Sequence, residues 1–230
     1  MKIAIYTAIY DNYELLRDPI RVPGLDYICF TDDLKLTSNV WDVKYLRNTH
    51  ISGFGSMFVK YIKLNSQSYL SEYDYVIWLD ANIIVKSKEL LKYLAAKLYS
   101  TNILLFKHYD PNPNLSRSCA YEEAEFASVY LDKYKKEKLN QQVKDYKDVG
   151  FPEKWGLFQS GVFMKNNKCS AMLKFDRAWL HEIYKYGEVF PQCQVSLPYC
   201  LWKTNIKYDI VNAPSIYQSD LFKIFPHRCI

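Results

Sequence analysis

The sequence predicts an α/β domain, and two observations carry that reading. Short apolar runs rich in Ile, Val and Tyr alternate with longer stretches of helical spacing, an order that builds a sheet covered by helices. Several of the runs are apolar on every residue, as strands are when both faces of a mostly parallel sheet are covered. The length, 230 residues, suits one domain with elaborations, and neither an internal repeat nor a long linker divides it.

The elements follow in order. Residues 2–10, rich in Ile and Tyr, form a strand that ends at Asp11 and Asn12. Residues 27–30 form a second, stopping at Thr31-Asp32-Asp33, and residues 41–46 a third. Phe58, Ile62 and Tyr69, with Lys60 and Lys63 interleaved, predict a helix over 54–70. YVIWL at 75–79 is the clearest strand; it runs into Asp80-Ala81-Asn82 and resumes with Ile83, Ile84 and Val85. Ser87 is an N-cap for a helix to about Tyr99, and 102–106 is a strand. A loop over 112–118 leads into a long charged helix over 121–146, on which Lys133, Lys135, Lys136, Glu137 and Lys138 make a solvated face. GLFQSGVFM gives a turn and strand over 155–164, Phe175, Trp179 and Ile183 mark a helix over 169–186, and 191–202 is helical or mixed. A late strand at 208–211 precedes an irregular tail, KIFPHRCI.

Composition removes several function classes. Hydrophobic residues at 49% and charged residues at 24% exclude a disordered or collagenous chain. Only 7 glycines occur, with neither GxGxxG nor GxxxxGK[ST], which argues against a P-loop or a standard Rossmann cofactor enzyme. A net charge of +5 suits an anionic small molecule; with no block of consecutive Lys or Arg it implies no nucleic acid. The six cysteines form no CxxC pair, so no zinc ribbon is expected, and free thiols in a reducing, cytoplasmic compartment are the default. Asp11 comes too early for a signal peptide, and no apolar run approaches the roughly 20 residues of a transmembrane segment.

Ligands in open α/β sheets bind beyond the carboxyl ends of the strands. Three polar clusters fall there: Thr7 to Asp11, Thr31 to Asp33, and Asp80 to Asn82. Any one of them alone simply begins a loop; their coincidence points to a site. Asp80 and Asn82, one residue apart, project to the same side of the chain. Two oxygen-bearing side chains so placed suit a hard cation, Mn2+ or Mg2+, that shares its sphere with phosphates.

The motifs YTAIYDNYELL, YICFTDD, the Lys60 and Lys63 pair, VIWLDANI, SRSCAYEEAE and QVSLPYCLWK, in that order across nearly the whole chain, resemble a glycosyltransferase-like family first catalogued as a conserved domain of unknown function. It includes plant cell-wall-associated proteins and domains of large algal viruses. The resemblance implies a single domain of GT-A type, Rossmann-like, with a mixed, mostly parallel central sheet flanked by helices. A nucleotide-binding half would cover about 1–105 and an acceptor-side half about 106–230. It also implies a nucleoside-diphosphate sugar donor, UDP-linked, a glycan acceptor and a divalent metal. A viral member would work in the host cytoplasm.

Under the resemblance, Thr7, Ala8 and Tyr10 approach the nucleotide, Asp32 bonds the base or ribose, and Lys60 and Lys63 face the diphosphate. Asp80 and Asn82 stand for the DxD element, with His227 closing the metal sphere. Gln159, Ser160, Gly161, Gln194 and Asp80 lie along the donor sugar. Glu122 or Glu123 is the expected acceptor-side carboxylate or general base, although acidic residues at a helix start also serve the helix dipole. The chain departs from the family pattern at one place: Arg-Asp-Gln is replaced by Gln192, Cys193 and Gln194, so an Asp that would supply a base or touch the donor is a thiol here. The expected activity is metal-dependent sugar transfer to a glycan hydroxyl. The alternatives are a non-catalytic carbohydrate- or nucleotide-sugar-binding relative and a sugar nucleotidyltransferase, the latter disfavoured by the absence of glycine after the first strand.

Overall fold

The computed structural model describes residues 1–48, 55–91, 94, 97, 100–110, 112, 115–187, 192–211 and 215–227. Nine strands and six helices occur among them: β1 Ile3–Ile9, β2 Leu25–Thr31, β3 Asp42–Tyr45, α1 Gly55–Leu64, α2 Ser66–Tyr69, β4 Tyr75–Leu79, β5 Ile83–Val85, β6 Ile103–Lys107, α3 Ala120–Tyr130, α4 Lys136–Asp148, β7 Phe158–Asn166, α5 Ser170–Tyr186, α6 Cys193–Thr204, β8 Tyr208–Ile210 and β9 Phe222–Ile224. Seven strands form one sheet in the order β3-β2-β1-β4-β7-β6-β8, and β5 pairs with β9 apart from it. The β1/β2, β1/β4, β2/β3 and β6/β8 pairs are parallel; β7 alone runs against its neighbours β4 and β6. The protein is thus α/β with a mixed, mostly parallel sheet.

The reason for this assembly is visible in β1 and β4, whose residues Ile3 to Ile9 and Val76 to Leu79 are all buried. Such strands need apolar cover on both sides. One face carries Ala4, Tyr6, Tyr10, Trp78 and Phe163 against Phe58, Ile62, Phe175 and Trp179; the other carries Ile3, Ile5, Ile77 and Leu79 with Leu90, Leu94 and Phe222. One charged pair crosses the core: Lys165 of β7 lies 2.5 Å from Asp176 of α5, both fully enclosed.

Three elements differ from the sequence expectation. The helix predicted over 54–70 breaks at Asn65 into α1 and α2. The charged helix predicted over 121–146 is two helices, interrupted over 131–135. The tail read as irregular supplies β9, in register Ile83↔Ile224 and Val85↔Phe222 with β5. Of the helix expected after Ser87, only parts are described, with Ser87 Oγ accepting the Glu89 amide at 3.2 Å. Five cysteines, 29, 119, 169, 193 and 200, form no disulfide, and Cys229 lies outside the described residues. Among the described residues no helix is long and apolar enough to cross a membrane.

The chain leaves β1 toward β2 and β3 on one side and returns to place β4 on the other. The carboxyl ends of β1 and β4 therefore flank a topological switch point, where a crevice opens in sheets of this kind.

Candidate functional site

A cavity of about 480 Å³ opens at that point, within the roughly 300 to 1,000 Å³ typical of small-molecule sites. Its walls come from the ends of β1 (Ala8, Tyr10) and β4 (Asp80, Asn82), from β7 (Gln159, Ser160, Gly161), from α1 (Lys60), from α6 (Cys193, Gln194), from α3 (Glu123) and from the C-terminal segment (His227). All of these but Cys193 are candidate site residues named from sequence, and they thus converge on one space.

Asp80 is the best-anchored of them. The β4/β7 register, Leu79↔Val162, brings Asp80 beside Gly161, whose carbonyl accepts the Asp80 amide at 2.8 Å. A Cβ on Gly161 would lie 3.0 Å from Asp80 Oδ2, so glycine lets that oxygen stand where it does. A register irregularity between Leu105 and Phe106 lies opposite the β7 stretch that carries Ser160 and Gly161; such bulges re-aim a strand locally. Asp80 Oδ1 accepts from Trp78 Nε1 at 2.7 Å and faces Lys63 Nζ at 3.4 Å. Burial alone would raise the Asp80 carboxyl, but Lys63 and Lys60 hold it below the usual range. It stays ionised.

The two lysines divide their work. Lys63 is fully buried; its ammonium bonds Ser160 O at 2.5 Å, and burial depresses its pKa in spite of Asp80. It supports Asp80 from beneath and does not line the cavity, a correction to the expectation that both lysines face the diphosphate. Lys60 does line it. Burial works against its charge, yet Cys193 and Asp80 beside it raise its pKa above the ordinary lysine value.

Asn82 is buried, and its Nδ2 donates to Phe225 O at 2.9 Å while Phe225 N donates to Asn82 O at 2.8 Å. With its amide nitrogen committed, the side-chain oxygen is the atom left to face a cation. His227 presents Nδ1 to Glu14 Oε1 at 2.5 Å, leaving Nε2 as its second nitrogen. Asp80, Asn82 and His227 therefore each have one donor atom of the right chemistry, oxygen or imidazole nitrogen, and a partner fixing the opposite atom. No three His, Cys, Asp or Glu side chains among the described residues converge tightly enough to hold a metal alone. A cation here would complete its sphere with phosphate or water, as Mg2+ commonly does.

Three of the candidate residues lie outside the cavity wall. Thr7 is buried in the sheet, its Oγ1 without a partner, because strand alternation turns it away from the face that Ala8 and Tyr10 share. Asp32 lies at the end of β2, outside the cavity wall, where it accepts the Asp11 amide at 3.3 Å. Glu122 serves the start of α3: its Oε2 accepts Ser118 N at 2.6 Å and Ser118 Oγ at 3.0 Å, and it faces a separate groove. Glu123 is the inward carboxylate. Both its oxygens are taken, by Arg117 Nε at 2.6 Å and Gln192 Nε2 at 2.9 Å, and burial raises its pKa against the pull of Arg117.

Several wall residues carried no sequence signal. Arg117 bridges Glu123 and Asp110, with an NH1 to Oδ2 distance of 3.0 Å for the second. His108 Nδ1 lies 2.7 Å from Gln194 Nε2, which donates, so the ring proton sits on Nε2, a buried atom with no partner. Burial and the Arg117 charge push His108 down to about 4, so it is neutral. Lys133 is exposed, as expected of a solvated face, and also reaches the cavity wall. Tyr13, Tyr134 and Tyr217 also line the space. These are aromatic faces of the kind that pack on sugar rings.

The class this fold and site define is an α/β protein with a polar cleft at its switch point, floored by one ionised carboxylate and rimmed by cations. No family model matches the chain, and the curated proteins contain no significant match.

Proposed function

We propose that the protein is a GT-A type glycosyltransferase that moves a sugar from a nucleoside-diphosphate donor, UDP-linked, to a glycan hydroxyl. One observation carries the reading: an ionised Asp80 at the end of β4, with Lys60 and Lys133 on the same cavity, faces Ala8 and Tyr10 at the end of β1. A diphosphate needs cationic neighbours, and the scarcity of glycine leaves lysine and a metal to supply them.

A Mn2+ or Mg2+ ion held by Asp80, Asn82 and His227 would offset the charge that grows on the leaving diphosphate. Lys60 adds a fixed ammonium on the same side. Ala8 and Tyr10 offer a narrow backbone edge for the base. Ser160 and Gly161 admit the donor sugar close to Asp80, and Gln194 and Arg117 present donors for hydroxyls along the opposite wall.

A second reading is favoured by one observation. The two carboxylates expected to act as base are engaged, Glu122 by Ser118 and Glu123 by Arg117 and Gln192. A non-catalytic sugar-nucleotide-binding relative needs no base, and neither does a transferase that retains anomeric configuration. Release of UDP from a panel of UDP-sugars, with and without Mn2+ and with oligosaccharide acceptors, separates the readings. Metal-stimulated release supports transfer, binding without release supports the second reading, and failure of both overturns the proposal.

A further inference from the structure

Glu14 has no role in the reading above, and its surroundings are unusual. It follows the exposed residues Asp11, Asn12 and Tyr13, yet is 6% exposed. One oxygen, Oε1, meets His227 Nδ1 at 2.5 Å, across 213 residues of sequence. The other, Oε2, is buried without a hydrogen bond, its nearest cation being Arg17 at 4.0 Å. Burying a carboxylate with an oxygen unpaired costs stability. His227, 57% exposed on its side chain, would need no such partner if it were only a surface residue.

Residues 222–225 of the C-terminal segment are held as well. β9 pairs with β5, Asn82 and Phe225 exchange two hydrogen bonds, and the Arg17 guanidinium lies 4.6 Å over the Phe225 ring. Each contact ties the segment either to the Asp80–Asn82 strand end or to the loop that follows β1. Together they set where the His227 ring stands relative to Asp80. A carboxylate only accepts, so the Glu14 contact puts the imidazole proton on Nδ1 and, in the neutral ring, the lone pair on Nε2. Histidines that bind metals are commonly held in this way, which fixes the tautomer and raises ligand basicity.

We propose that Glu14 is a positioning residue: it orients His227 so that Nε2 completes the sphere of a divalent cation shared with Asp80 and Asn82. This rests on the nucleotide-sugar reading of the same cavity. Arg17 acts with it, by holding Phe225 and facing the unpaired Glu14 oxygen.

The test is Mn2+ binding in the presence of UDP, read as free Mn2+ by electron paramagnetic resonance, for the wild type, Glu14→Gln, Glu14→Ala, Glu14→Asp and His227→Ala. Expected are a loss of about 10- to 100-fold in Mn2+ affinity for Glu14→Ala and His227→Ala, a smaller loss for Glu14→Gln and partial recovery in Glu14→Asp. Metal-free UDP binding should hold, and the urea midpoint should not fall. Imidazole 15N shifts give a second readout that needs no metal: His227 carries its proton on Nδ1 in the wild type and loses that preference in Glu14→Gln. Mn2+ affinities within two-fold of one another across the Glu14 variants, with an unchanged tautomer, overturn this proposal and leave the transferase reading standing. A wild type that binds UDP without Mn2+ coupling overturns both the metal site and this role. Loss of metal-free UDP binding in step with Mn2+ binding would make Glu14 merely structural and equally overturn it.

Discussion

Lys63→Met tests whether the floor of the cavity is built as described. The ammonium of Lys63 is fully enclosed, bonded to Ser160 O at 2.5 Å, 3.4 Å from Asp80 Oδ1, and set 5.2, 5.6 and 5.9 Å from the ring centroids of Trp78, Phe163 and Trp179. Methionine keeps most of the side chain's length and removes the charge. Breaking a buried ion pair costs about 3 to 5 kcal/mol, because the remaining charge is left uncompensated. Here Asp80 retains the Trp78 N–H and the nearby Lys60 charge, and its side chain is 30% exposed. The new sulfur also gains contact with three rings, worth about 0.3 to 1.5 kcal/mol for a good contact. The expected loss is therefore at the lower limit, about 3 kcal/mol. Asp80→Asn alone should also destabilise, by leaving the ammonium among rings with only Ser160 O. The double variant buries no charge at this place, so its loss should fall short of the sum by about 1 to 3 kcal/mol. Urea unfolding followed by tryptophan fluorescence and far-ultraviolet circular dichroism measures all four proteins. A Lys63→Met loss below about 1 kcal/mol, or additivity within about 0.5 kcal/mol, would refute the pairing.

Three further outcomes are expected. His108 is held down to about 4 against an ordinary 6.5, so the unfolded chain binds the extra proton between those values; its stability contribution is complete above pH 6.5 and is lost as pH falls toward 4. His108→Gln should flatten that part of the urea-midpoint profile, and parallel profiles would contradict the assignment. Gly161→Ala places a Cβ 3.0 Å from Asp80 Oδ2 and 3.1 Å from Ile83 Cδ1; it should cost about 1 to 3 kcal/mol and weaken Mn2+-dependent UDP binding about 10-fold, and calorimetry showing full affinity would mean that Asp80 is not at the site. Glu122→Ala should cost about 0.5 to 2 kcal/mol, as loss of a cap does, and leave UDP binding intact, whereas Glu123→Gln should cost about 3 kcal/mol, the lower limit for breaking a buried ion pair, because Arg117 keeps Asp110; equal losses in urea would contradict the division of roles.

The centre of the sheet was legible because β1 and β4 are apolar along nearly their whole length and stop at abrupt polar residues. YVIWL leading into Asp80 gave both a strand and the end of the crevice. Helix breaks were not legible: residues 131–135 continue the charge pattern of their neighbours, and only the packing of α3 and α4 around them shows the turn. Lys60 and Lys63 looked equivalent at helical spacing, yet a step of three residues rotates the second toward the sheet, where Asp80 and Ser160 O receive it. Thr7 was misplaced for the strand analogue of that reason, since alternate residues face opposite sides. The Arg117–Glu123 bridge spans a loop, and Glu14 meets His227 from the opposite part of the chain. The second leaves no local pattern, because it exists only once the strands have fixed two segments 213 residues apart.

We propose that the crevice at the ends of β1 and β4 is a nucleotide-sugar site organised on Asp80. Crystals soaked with UDP and Mn2+ test it most directly. Expected are the diphosphate beside Lys60, the cation against Asp80, Asn82 and His227, and the base at Ala8 and Tyr10. UDP bound elsewhere on the protein, or a cation that avoids Asp80, would contradict it.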